Sequence, residues 1–242
     1  MYKKITHNIV EEHFAHPLAA DLKKKIEKSK LEEASVPTQS QLDTHRAVTT
    51  FFWGVRNFLI NALSAHDDAA TASKNSLLTG ISDFIPVFRS YPAAVGTGVV
   101  THLTGLVNAY ADAIAAAKAG KDIAPFTSAM QTHCDSLVQV LSSANPNHWP
   151  ATVAKSYLYT YASLLADQLN ARVKKDWPDD IRSENHAMNL MISGPVTYTS
   201  PLKNWVDFAT FLMSGLPKQS AAITTPPGNQ PVITHHAVSS HV

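Results

Sequence analysis

Histidine is the residue type through which this chain could most readily do chemistry. There are twelve, and imidazole both exchanges protons near neutral pH and ligates transition metals. His133 stands beside Cys134 and Asp135 on a segment whose apolar positions repeat at helical spacing, and His102 lies at the edge of another such stripe. Metal centres in helix bundles are built from side chains that converge from facing helices. His102, His133 and Asp135 are therefore the candidate ligands for a transition metal. The alternative is that His102 and His133 are partly buried histidines satisfied by neighbouring backbone or carboxylate groups. A carboxylate-bridged di-iron centre is disfavoured: it needs Glu-x-x-His pairs on core helices, and no glutamate occurs from 34 to 183.

Other chemistries have thinner support. In the cluster His7, Glu11, Glu12, His13 and His16, His7 with Glu11 and Glu12 with His16 fall one helical turn apart, which could make a metal or helix-pairing face, but an ordinary solvated polar face is the expected reading. Cys134 with His133 makes a poor nucleophile and base, because consecutive helical positions point about 100° apart. A buried structural thiol is expected there instead. The run His66, Asp67, Asp68 reads as a helix cap rather than a metal loop. His235, His236 and His241 belong to a solvated terminal tract. The sequence has no phosphate-binding Walker loop, dinucleotide fingerprint or Gly-x-Ser-x-Gly elbow. The expectation is a non-enzyme with no organic cofactor, a transition metal being the one cofactor left open.

Composition narrows the partners. Basic and acidic side chains, 20 and 19, nearly cancel to a net charge of +1, so no overall field draws in nucleic acid or an anionic membrane. Charged residues are 16% of the chain, below the roughly 25% of average soluble domains. Such a weakly charged surface is comfortable against another protein, so a protein partner or self-association is expected. The single cysteine precludes an intrachain disulfide and fits a reducing compartment, hence a cytoplasmic or other intracellular location. No signal peptide or membrane anchor is read at the N-terminus. The stretch 90–111 has no Asp, Glu, Lys or Arg, but its Gly, Thr, His and Asn content makes it a buried helix rather than a membrane span.

The elements that must position these residues are helices. The apolar pattern gives one over 41–65 through Val48, Phe51, Phe52, Val55, Phe58, Leu59 and Leu63. A polar interval follows, then short broken helices over 75–88 near Gly80 and Pro86. Val99, Leu103, Leu106, Val107, Tyr110 and Ile114 form the clearest stripe, with Gly120 as its left-handed cap. Asp122 caps a helix through Phe126, Met130, Cys134, Leu137 and Leu141, which stops before Asn145 and Pro146. Pro150 starts the next, and segments 179–191 and 202–213 complete the fold, with Pro178 between elements. The chain is thus expected to be all-α, with a four-helix-bundle-like core over 41–215, an N-terminal helical arm and linker over 1–40, and an extended or disordered tail over 216–242.

The order of Asn75-Ser-Leu-Leu78, Asp83-Phe84, Arg89, Thr101-His102-Leu103, Ala116-Ala-Lys-Ala-Gly120 and Leu141-Ser-Ser-Ala-Asn-Pro-Asn-His-Trp149 resembles a group of uncharacterised bacterial helical-bundle proteins across about 48–192. No activity is established for that group. Its pattern matches this chain at Arg56, Asn75, Asp83, Arg89, His102, Asp135, Asn145 and Trp149. It departs where Phe51 replaces a first-helix His, where Thr101 replaces the Glu of a Glu-His pair, and where the helix of Tyr157 and Tyr161 carries no His. If the group's interior binds metal, this chain lacks most of the ligands. What the resemblance implies is a structural polar core in which Arg56 or Arg89 pairs with Asp83 or Asp135. The functional expectation is a non-catalytic bundle that acts by protein–protein association, as an assembly or structural component, with a hemerythrin- or ferritin-like metal-binding bundle as the alternative.

Overall fold

A computed structural model describes residues 39–64, 67–192 and 207–217 of the chain. The expected arm and tail, and with them the histidines near both ends and His66, lie outside these residues apart from their innermost positions. Among the described residues there are helices and no strand: α1 (Gln39–Leu63), α2 (Asp67–Gly80), a 3-10 turn (Ile81–Asp83), α3 (Phe84–Val87), α4 (Ala93–Lys118), α5 (Ala124–Ala144), α6 (Ala151–Lys174), α7 (Trp177–Met191) and α8 (Phe208–Gly215). None of them is long and apolar enough to cross a membrane.

The four long helices α1, α4, α5 and α6 enclose one apolar core through the stripes read from the sequence, with Phe51, Leu59, Leu106, Tyr110, Met130, Cys134, Tyr157 and Tyr161 essentially inaccessible to solvent. Burying each of the Phe, Leu and Met side chains among them contributes about 1.5–3 kcal/mol. The polar interval expected before residue 75 is instead helical, because α2 begins at Asp67 with both acidic residues in its first turn, where they face unpaired N–H groups and the positive end of the helix. α2 lies antiparallel on α1, Gly54 opposite Leu77 and Gly80 opposite Thr50.

Two helix ends fix the geometry of the sites below. α4 stops where Gly120 takes φ +67; Gly120 N donates to Ala117 O and Lys121 N to Ala116 O, the paired bonds of a Schellman cap. α6 ends in the same bonds, from Lys175 N to Arg172 O and from Asp176 N to Ala171 O, with Lys175 itself left-handed at φ 59. The Asp176 side chain then accepts from Asp179 N and caps α7. Pro178, expected as a break, lies within the first turn of α7, where its missing N–H costs nothing. This short corner folds α7 straight back beside α6.

Candidate functional site

Three polar groupings are built on this frame, and the first is the sequence-expected metal set. His102 of α4 and His133 of α5 face each other with ring centroids 6.0 Å apart and planes inclined at 41°. Asp135 does not join them. Its carboxylate is on the α6 side, accepting from Tyr159 Oη at 2.8 Å and pairing with Lys155 Nζ at 2.9 Å. The Lys155 and Tyr159 hydrogen bonds hold its carboxyl below the ordinary range. Positions 133 and 135 stand about 200° apart around a helix, so when one faces α4 the other faces α6. Among the described residues no three His, Cys, Asp or Glu side chains gather around a common point. Burial, and then the neighbouring His102, lower the proton affinity of His133. Cys134 points into the core, its Sγ 3.6 Å from Leu158 O, and burial pushes its thiol up to about 12. The thiol is buried, as its place on the apolar stripe implied.

The second grouping is the buried polar core. Arg56 is there, but its partners are neither Asp83 nor Asp135. Its guanidinium donates to both carboxylate oxygens of Asp180, at 2.6 and 2.8 Å. It also reaches Gln168 Oε1 at 3.3 Å and Glu184 Oε2 at 2.6 Å. Arg172 Nη2 closes the cluster onto Asp180 Oδ2 at 2.9 Å and stacks over Trp177. Burial works against the Arg56 charge, but the Asp180 hydrogen bonds and charge, with Glu184 behind them, hold the guanidinium above its ordinary proton affinity. Two cations thus meet two carboxylates where α1, α6 and α7 join, and the α6–α7 corner is what brings Arg172 and Asp180 together. Arg89 pairs separately with the buried Asp43 of α1, which also accepts from Gln39 at 2.8 Å. Asp83, half-buried in the 3-10 turn, joins neither arginine.

The third grouping gives the Asn145-to-Trp149 motif a role that the sequence left open. Trp149 is fully buried, and its Nε1 donates to Phe211 O and Leu212 O at 3.2 and 3.1 Å. Asn145 Nδ2 donates to Tyr91 Oη at 2.9 Å and to Gly215 O at 3.0 Å, while Tyr91 Oη also donates to Gly215 O. Leu212 O and Gly215 O are among the last four carbonyls of α8, which lack N–H partners in the helix, while Phe211 O also accepts from Ser214 Oγ at 2.7 Å. Gly215 is required, since a Cβ there would stand 2.2 Å from Trp149 Cε2. The motif is a socket for α8.

What these groupings can do chemically is limited. The Arg56 cluster has matched charges and lies among packed helices. An apolar cavity between Phe84, Leu103, Leu137 and Leu212 measures only about 10 Å³, and an open hollow of about 370 Å³ runs along Ile181, Asn185 and Asn189 of α7. Sequence reasoning missed Asp180, Glu184, Arg172 and Gln168 as partners of Arg56. One signal was present: Glu184 is the first glutamate after the long gap and follows Asp180 by one helical turn. Comparison with family models, with curated proteins and with solved structures finds no match. The resemblance to uncharacterised bacterial bundles therefore stands on the quoted motifs alone.

Proposed function

We propose that the protein works by binding another protein chain through the outer face of α1, and not by catalysis. The observation that carries this reading is a line of large apolar side chains left in water. Leu42, Trp53 and Ile60 are 51%, 42% and 39% exposed. Their separations of 11 and 7 residues place them within about 20° of one line, roughly 27 Å long. Single exposed apolar residues are ordinary, whereas an aligned set on one rigid element marks a contact surface. Arg46 and Asn57, also exposed, supply a polar edge to the same line. On the opposite, inner face of α1 lie Phe51, Val55 and Phe58, so this helix has one apolar side for its own core and a second for a neighbour.

The polar groups support the same reading. Arg56, Asp180, Arg172 and Glu184 pair with one another, Cys134 is sealed in the core, and Asp135 is held by Lys155 and Tyr159. The test is the native size of the full chain in extracts of the cells that make it. The wild-type protein is expected in a particle larger than its 26.3 kDa monomer, and Trp53→Glu with Ile60→Glu is expected at monomer size with an unchanged circular dichroism spectrum. Wild-type protein running at monomer mass would overturn the reading.

A further inference from the structure

α4 and α5 run antiparallel, and two glycines of α4 face side chains of α5. A Cβ on Gly98 would stand 3.0 Å from Val140 Cγ2, and one on Gly105 would stand 2.2 Å from His133 Cε1 and 2.5 Å from both ring nitrogens. The His133 imidazole thus occupies space that exists only because residue 105 has no side chain. One turn earlier on α4, His102 meets this ring at 6.0 Å between centroids. Its Nδ1 is buried without a hydrogen-bond partner. Such an atom is rare in a folded protein and calls for a partner.

We propose that His102 and His133 form a two-imidazole clamp for a divalent late transition metal ion, held across the α4–α5 seam with water completing its coordination. The geometry fits. With metal–nitrogen bonds of about 2.0–2.1 Å and about 1.1 Å from nitrogen to ring centre, two bound imidazoles have centroids about 5.2 Å apart at a tetrahedral angle and about 6.4 Å apart when collinear. The observed 6.0 Å lies within that range. The donor chemistry points to zinc, nickel or copper, because two imidazoles without a carboxylate suit these ions and not magnesium or calcium. Both histidines are partly exposed, which gives an ion and its waters an approach from solvent. An ion there supplies His102 Nδ1 with the partner it otherwise lacks.

The experiment is a Zn²⁺ titration of the full chain, followed by imidazole ¹⁵N chemical shifts assigned with His102→Gln and His133→Gln. The two rings are expected to shift together along one isotherm. Each substitution is expected to abolish the response of the remaining ring and to remove a molar equivalent of tightly held zinc in equilibrium dialysis. Gly105→Ala, which displaces the His133 ring, should weaken the joint response while the circular dichroism spectrum stays unchanged. Zinc that shifts only other histidines, rings that respond at different concentrations, or a ring that still responds after its partner is replaced would each overturn the clamp.

Discussion

Replacing Arg56 by Met tests whether the buried cluster fixes α1 against α6 and α7. The substitution keeps an unbranched side chain in the same space but leaves Asp180, 1% exposed, without its two-pronged partner. Removing one member of a buried ion pair costs about 3–5 kcal/mol. Because Arg172 still reaches Asp180 at 2.9 Å, the loss should lie near the lower end, about 3 kcal/mol. For a chain of 242 residues that corresponds to a fall in melting temperature of about 6–12 °C. Urea unfolding monitored by circular dichroism measures it directly, with the midpoint lowered and the slope unchanged. Arg56→Met combined with Asp180→Leu should recover much of the loss, since apolar replacement of a whole buried pair is often close to neutral. A loss below about 1 kcal/mol for the single variant, or a double variant as unstable as the sum of the two single ones, would refute the reasoning.

Three further outcomes follow from packing and burial. Gly215→Ala should cost about 2 kcal/mol or more, because the new methyl meets the immobile Trp149 ring, whereas Gly105→Ala should cost less than about 1 kcal/mol, because the His133 ring can swing outward; equal thermal shifts would contradict this. Cys134, with its thiol pushed up to about 12 by burial, should react with a thiol reagent at pH 8 only as fast as the protein unfolds, so labelling at the rate of an unfolded control would be incompatible with its placement. Burial raises the proton affinity of Tyr110, Tyr157 and Tyr161 above the ordinary tyrosine value of 10.0. The unfolded chain therefore ionises first as pH rises, and the stability present below pH 10.0 should decline above it. Absorbance at 295 nm should show these rings ionising together with the loss of helix, and ionisation well ahead of unfolding would count against their burial.

Much of this fold was legible in apolar spacing, because a stripe repeating every three to four residues has one economical use, which is to face other stripes. α1, α4, α5 and α6 were read that way, as was the left-handed Gly120. α2 was not, because only Leu77 of that helix is buried and its start depends on charge at a helix end rather than on apolar period. Pro178 misled for a related reason, since the same ring that breaks a helix interior is welcome in a first turn. At the candidate site, the separation of His133 from Asp135 follows from helical geometry alone. The pairing of Arg56 with Asp180 across 124 residues depends on the α6–α7 corner, where a lysine adopts the conformation usually left to glycine. The role of Trp149 depends on α8, a short helix that reaches its socket from beyond α7.

A photo-crosslinking residue placed at position 53, with position 128 on α5 as an exposed control, asks most directly whether the outer line of α1 meets another protein. Illumination in the cells that make the chain should yield one discrete adduct from position 53, to a second copy or to another polypeptide, and none from position 128. The absence of an adduct at position 53, or the same diffuse pattern from both positions, would contradict the proposal that this face is where the protein acts.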